Sequence, residues 1–292
     1  MKIQPECVPC LLKRIVFESE CSTDDEKLRY KALKKACILL GELYDPKSCS
    51  ASVATQIHKT VYEILDDEDP YKELKEGANK AAKKLIPRVE ELINVCEDTL
   101  RMSMLASIVG NMMDFGIAGG SSEPEDLLEI FEKTVEQDIG YDDYEKVKNI
   151  ISKAKNVVLF TDNCGEIVFD KILCREIKKF NPNLHLTLVV KGEPVLSDAT
   201  MKDAVEFGFD EVVDDILTTG CFAVGVDFEK LSKKILNLID NVDIIICKGM
   251  ANYEAFSETD YKPIVYLMRT KCSAIANSMG VPQNINVIKL YD

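Results

Sequence analysis

The sequence has 292 residues, 46% hydrophobic and 29% charged, enough to bury a sizeable core in one large or two modest domains. Its formal net charge of −14 argues against a nucleic-acid partner, which calls for a basic surface, but leaves room for a small phosphorylated substrate held by a few local cations or a metal. No apolar run is long enough to cross a bilayer, and the opening Met1-Lys2-Ile3-Gln4-Pro5-Glu6 has no signal-peptide stretch, so a cytoplasmic protein without a membrane partner is expected.

Residues 1–150 read as a helical N-terminal domain. Cys7-Val8-Pro9-Cys10 lies in a helical pattern, where packing competes with half a zinc site, a second metal or a redox pair. No second Cys-x-x-Cys exists and neither His58 nor His185 has finger-like spacing, so structural zinc is disfavoured. The 11 cysteines are odd in number and scattered, and Cys37, Cys174 and Cys247 fall within apolar patterns, which points to a reduced compartment. Leu28, Ala32, Leu33, Ala36, Leu39, Leu40 and Leu43 have helical spacing over 24–43. Further helices are expected over 51–66, 70–85, 87–115 and 123–136, with a Gly- and Ser-rich loop over 116–125 and no strand before 155.

From residue 151 to 292 strand and helix alternate. Strands are expected at 156–161, 184–190, 211–213, 242–247, 264–268 and 287–290, and helices at 166–180, 200–207, 228–239 and 271–279. Strands apolar on both faces imply a Rossmann-like, mostly parallel sheet flanked by helices, so the fold class is α/β with an all-helical N-terminal domain.

In such a sheet, ligands bind beyond the carboxyl ends of the strands. The first strand ends in Asp162 and Asn163, oxygen donors suited to a hard divalent cation, beside a helix start whose N–H groups favour an anion. A helix cap is the competing reading of that pair. Lys191 ends the second strand, with Asp198 in the loop beyond it, fit to balance phosphate charge and complete a metal shell; a solvated lysine and a cap compete there too. Lys248 ends the strand at 242–247, and the turn Thr218-Thr219-Gly220 offers further N–H donors. A P-loop and a Gly-x-Gly-x-x-Gly dinucleotide site are absent, and Cys164 stands where an aspartyl-phosphate enzyme would carry its second aspartate.

These residues carry a resemblance. The run 162–170, the pairs Lys191-Gly192 and Ser197-Asp198, Lys248-Gly249-Met250-Ala251-Asn252-Tyr253-Glu254, Cys7-Val8-Pro9-Cys10 and 110–115 together resemble the damage-control phosphatases, formerly grouped as domain of unknown function eighty-nine. The early Cys-x-x-Cys is similar to the archaeal-type subfamily. The resemblance implies Asp162, Asn163 and Asp198 as ligands of a divalent cation: manganese, cobalt, nickel or magnesium. It implies Glu166 and Lys248 near the reacting phosphate, and Asn111 and Asp114 reaching in from the helical domain. Lys191, Gly220 and Asn252 are placed with the substrate-binding residues. Cys164 stands where a small residue is expected and Ser197 where an asparagine is expected, which leaves Asp198 the least certain ligand.

The resulting expectation is a metal-dependent phosphoric monoester hydrolase acting on sugar phosphates or damaged phospho-metabolites. Asp162 is the key catalytic position, with Glu166 orienting or deprotonating the attacking water. Two other classes compete: a carboxyl methyltransferase using S-adenosylmethionine, whose usual Gly-rich loop is displaced by Asp162 and Asn163, and a non-catalytic metal- or nucleotide-binding regulator. No oligomeric state follows from the sequence.

Overall fold

A computed structural model describes the backbone of residues 1–112 and 124–292. Among the described residues six helices precede the first strand: α1 (Cys7–Ser22), α2 (Glu26–Leu43), α3 (Ser50–Leu65), α4 (Lys72–Asn94), α5 (Thr99–Met112) and α6 (Pro124–Val135). Asp25 caps α2, its carboxylate accepting the Lys27 N–H at 2.9 Å. The boundary expected between residues 85 and 87 is not there: α4 runs on through Pro87. The buried stripe Ala78, Ala81, Ala82, Leu85, Val89 and Ile93 runs in register through it. Burying that stripe outweighs a proline penalty of about 3 kcal/mol. The break falls instead at residues 95–98, where Asp98 accepts the Arg101 N–H at 3.1 Å and starts α5.

The remaining elements are β1 (Tyr141–Asp142), α7 (Tyr144–Ile151), β2 (Asn156–Phe160), α8 (Ile167–Phe180), β3 (His185–Val190), α9 (Met201–Glu206), β4 (Asp215–Thr218), α10 (Lys233–Ile239), β5 (Ile244–Lys248), α11 (Gly249–Phe256), β6 (Ile264–Arg269), α12 (Ser273–Met279) and β7 (Asn286–Tyr291). They build one seven-stranded sheet in the order β1-β7-β6-β5-β2-β3-β4. All pairings are parallel except β6 with β7. Two elements differ from the sequence reading. The strand expected at 211–213 is the exit of a 3-10 turn, because Phe209 and Val213 both turn into the core and the strand proper starts at Asp215. The two-residue β1, before residue 155, has no periodicity to detect; it exists by pairing Tyr141 and Asp142 with Val287 and Ile288.

Alternate side chains of the central strands point to opposite faces, and both faces are buried. Val157, Leu159, Leu186, Leu188, Ile244 and Ile246 join α4, α5, α6, α7 and α8 in one core. Val158, Phe160, Val189, Ile245 and Cys247 join α10, α11 and α12 in another. Helices α1, α2 and α3 pack around a smaller core of their own. Leu11 and Phe17 of α1 pack against a further cluster that joins Ala54, Tyr62 and Tyr71 to Val195, Leu196, Phe222 and Val224 of the loops after β3 and β4. From β2 the chain runs outward through β3 to β4 and then crosses to β5 on the other side of β2. The crevice at this reversal lies beyond the carboxyl ends of β2 and β5.

Candidate active site

Asp162 follows β2 and Lys248 ends β5, so the strand reversal sets both at the crevice. The chain after β2 is held in place by backbone bonds to the loop after β3. Cys164 N–H donates to Ser197 O at 2.7 Å and Ala199 N–H to Asp162 O at 2.8 Å, and Asn163 and Asp198 form an isolated bridge. Neither Asp162 nor Asn163 caps α8: among the described residues their side chains accept no N–H from that helix. Asp198 does not cap α9 either, because Thr200 and Asp203 form its capping box.

Asp162 Oδ2 accepts from Asn163 Nδ2 at 2.6 Å and from Asn111 Nδ2 of α5 at 2.7 Å. Both amides also donate to Glu166 Oε2, Asn163 at 3.1 Å. Ser197 Oγ donates to Asn163 Oδ1 at 2.6 Å. Glu166 Oε1 accepts from Lys248 Nζ at 2.7 Å. The same ammonium lies 2.9 Å from Asp170 Oδ1 and donates to Ser107 O at 3.2 Å, so its three protons are committed. Lys191 Nζ donates to Gly225 O and sits 3.3 Å from Asp198 Oδ2. That oxygen nonetheless lacks a hydrogen bond of good geometry, and so do Asp170 Oδ2 and Asn252 Oδ1.

All these carboxylates are buried, and burial raises the pKa of Asp162, Asp198 and Asp170. Asp162 is pushed well above the carboxylate range by desolvation, then by the charges of Glu166 and Asp198. Asp198 is raised by desolvation against the opposing pull of Lys191. Asp170 is pushed up to about 6, first by burial, with Glu166 adding to it and Lys248 opposing. Burial alone would lower Lys248, but Asp170 and Glu166 override it and hold the ammonium charged.

Gly249, at the start of α11, has φ +71°, and a Cβ built on it would lie 1.9 Å from Asp162 Oδ2. Only glycine lets this backbone approach the carboxylate so closely. No three His, Cys, Asp or Glu side chains among the described residues form a metal-ligating group. The oxygen set to weigh is therefore Asp162 and Asp198 with the amide of Asn163. A separate cavity of about 620 Å³, lined by Tyr253, Tyr261, Tyr266 and Tyr291, includes none of these charged residues.

The sequence model described as the damage-control phosphatase ARMT1-like domain matches residues 3–287. The chain belongs to this family. It is 37% identical over 292 residues to a damage-control phosphatase of Archaeoglobus fulgidus, covering 100% of both chains. It is 29% identical to a damage-control phosphatase of Pyrococcus horikoshii, covering 97% of this chain and 96% of the other. The crystal structure of a DUF89 family protein from Pyrococcus horikoshii superimposes with a TM-score of 0.92 at 29% identity, covering 100% of each chain. Membership in the damage-control phosphatase family supports a phosphatase, and hence hydrolase, role.

Of the residues singled out in the sequence, Asp162, Asn163, Glu166, Lys248 and Asn111 form one hydrogen-bonded cluster. Asp198 and Lys191 join it through the loop after β3. Asp114 lies outside the described residues. Asn252 is buried beneath the cluster, its Nδ2 donating to Thr161 O at 2.9 Å and Lys248 O at 2.8 Å, which ties β2 to the start of α11. Gly220 is exposed and packs against Gly192, where an added Cβ would come 2.4 Å from Gly220 N; among the described residues its N–H bonds to none of the site side chains. Sequence reasoning gave no role to Asp170, Ser107, Asn79 or Asp203. Ser107 Oγ donates to Asp170 Oδ1 at 2.6 Å, Asn79 Oδ1 accepts the Gly165 N–H at 2.8 Å, and Asp203 Oδ1 accepts from Asn79 Nδ2 at 2.8 Å. Asp170 had a detectable signal, since it lies one helical turn beyond Glu166 on the same face of α8. Asn79 had none, because it meets Gly165 only through the tertiary path of α4.

Proposed function

We propose that this chain is a divalent-metal-dependent phosphatase hydrolysing small phosphate esters, such as sugar phosphates or damaged phospho-metabolites. The observation that carries the reading is the convergence of Asp162, Asn163, Glu166, Asp198 and Lys248 at the strand reversal of a damage-control phosphatase fold. The donor set suits a hard cation. Asp162 and Asp198 are buried with an Asp198 oxygen lacking a hydrogen bond, and the acidity of Asp162 is suppressed first by burial and then by the charges of Glu166 and Asp198, which a cation would offset. Asp162, Asn163 and Asp198 would hold the ion, with magnesium, manganese, cobalt and nickel as candidates. When bound, it would supply charge to a phosphate oxygen and polarise phosphorus.

The remaining work falls to the chain's own groups. Lys248 fixes the Glu166 carboxylate through Oε1, and the amides of Asn111 and Asn163 hold it through Oε2. A carboxylate so fixed can orient the attacking water and take its proton. Lys191 and Lys248 set the potential under the transferring phosphate, and Asn252 keeps the β5–α11 turn against β2. A cytoplasmic setting is supported by 11 free thiols.

The test is phosphate release from p-nitrophenyl phosphate and a sugar-phosphate panel. Metal-stripped protein would receive magnesium, manganese, cobalt or nickel singly, beside Asp162→Ala. Metal-dependent release that disappears in the variant is expected; full activity in Asp162→Ala would sink the assignment.

A further inference from the structure

The loop after β3 that carries Ser197 and Asp198 turns on a strained residue. Leu196 has φ +49°, in the left-handed region where a Cβ crowds the backbone. The Asp198 N–H donates to Val195 O at 3.0 Å, which closes a β-turn with Leu196 at its second position. Turns with a positive φ there draw on glycine, asparagine and aspartate, so a leucine persists only where its surroundings over-determine it. The surroundings of Leu196 do. Its side chain is buried in the cluster that holds Val195, Tyr62, Phe222 and Val224. Its N–H donates to the hydroxyl of Tyr62, on α3, at 3.1 Å. The Tyr62 ring meets Phe222 edge to face, with centroids 5.3 Å apart. Helix α3 also holds the loop after β4, where the Val224 N–H donates to Thr55 Oγ1 at 3.0 Å.

The same turn aims the candidate cation ligands. Ser197, next after Leu196, orients Asn163: its Oγ donates to Asn163 Oδ1 at 2.6 Å and its carbonyl accepts the Cys164 N–H at 2.7 Å. Asp198 follows, with Oδ2 3.3 Å from Lys191 Nζ and lacking a hydrogen bond of good geometry. Its aim is therefore set chiefly by backbone, through the turn bond to Val195 O and the Ala199 N–H bonded to Asp162 O at 2.8 Å. A turn that relaxed at Leu196 would carry Ser197 and Asp198 together away from Asp162 and Asn163. The Tyr62 hydroxyl opposes that relaxation, because it satisfies the buried Leu196 N–H only while the turn keeps its left-handed form.

We propose that Tyr62 is a positioning residue: by accepting the Leu196 N–H it holds the strained turn that aims Ser197 and Asp198 at the cation site. The inference rests on the metal-dependent reading for the cation, but its primary test reads the loop itself. Amide hydrogen exchange would be followed by mass spectrometry on metal-free full-length protein, Tyr62→Phe, Tyr71→Phe and the double variant Tyr62→Phe/Leu196→Gly. Manganese affinity by calorimetry and the melting temperature would be measured on the same samples. Tyr62→Phe keeps the ring against Phe222 and removes only the acceptor. Tyr71→Phe is the control, since its hydroxyl lies in the same cluster but donates to Glu18, at 3.3 Å. Tyr62→Phe should speed exchange over residues 195–199 roughly tenfold and weaken manganese binding by about the same factor, whereas Tyr71→Phe should do neither. Glycine takes a positive φ without penalty, so the double variant should recover part of the manganese affinity. Unchanged exchange over 195–199 in Tyr62→Phe overturns the proposal, and so does unchanged manganese affinity where the unmodified protein binds the ion. An equal loss in Tyr71→Phe overturns it, because the cluster would then be loosened as a whole. A double variant that binds manganese no better than Tyr62→Phe overturns it too, since the hydroxyl would act other than through Leu196. If the unmodified protein binds no divalent ion, the metal-dependent reading fails while the exchange over 195–199 still decides the role of Tyr62.

Discussion

Gly249→Ala separates backbone strain from damage to the candidate site. Its φ of +71° carries a left-handed penalty of about 1–2 kcal/mol for alanine. The added Cβ would also stand 1.9 Å from Asp162 Oδ2, where ordinary contact begins at 3.4 Å, so the carboxylate must retreat by about 1.5 Å. Displacing a reacting group by about 1 Å costs on the order of a hundredfold in rate. Gly280 supplies the control: its φ is +68°, and nothing lies within 4 Å of the Cβ that alanine would add. Gly280→Ala should therefore lose about 1–2 kcal/mol and keep its turnover, a melting shift of about 2–4 °C per kcal/mol for a chain of this size. Gly249→Ala should lose at least as much stability, and its phosphate release should fall by roughly a hundredfold. Thermal melts and steady-state phosphate release on both variants read the two effects separately. A Gly249→Ala protein with the turnover of Gly280→Ala would refute the claim that this approach shapes Asp162.

Lys248→Ala leaves Glu166 and Asp170 buried without their cation and should cost about 3–5 kcal/mol in urea unfolding; a loss below 1 kcal/mol would mean the pair is not structurally coupled. Asp170, pushed up to about 6 from an unfolded value near 4, contributes stability that is complete below about pH 4 and lost as pH rises through about 6. Asp170→Asn should flatten the pH dependence of the urea midpoint between those limits, and an unaltered slope would contradict the burial argument. Cys10, Cys21 and Cys37 are exposed, whereas Cys164, Cys174 and Cys247 are buried with thiols pushed well above their ordinary range. Titration with a thiol-specific disulfide reagent at pH 8 should label the exposed set fast and those three only after unfolding. Rapid native labelling of Cys164 would place the β2–α8 turn in solvent.

The α/β alternation after residue 151 was legible because each strand buries both faces and each helix keeps one apolar stripe, properties written in neighbouring residues. The short apolar run at 211–213 misled, since Val213 is buried at the end of a turn and apolar residues alone do not distinguish that from a strand. Pro87 misled in the opposite direction, because a local breaker was outweighed by packing that only the assembled α4, α5, α6 and α8 provide.

The strand-end rule and the family resemblance together pointed to Asp162, Asn163, Glu166, Lys191, Asp198 and Lys248, because chain order fixes which residues follow each strand. The sequence by itself determined those positions and the helix and strand periods that carry them. Tertiary structure decided which charges meet. Lys248 pairs with Glu166 and Asp170 across 82 and 78 residues, and Asn79 reaches Gly165 across 86. Secondary-structure preference acts over one or two turns of chain, whereas these contacts depend on how helices and sheet stack, and on burial that makes each unpaired charge costly.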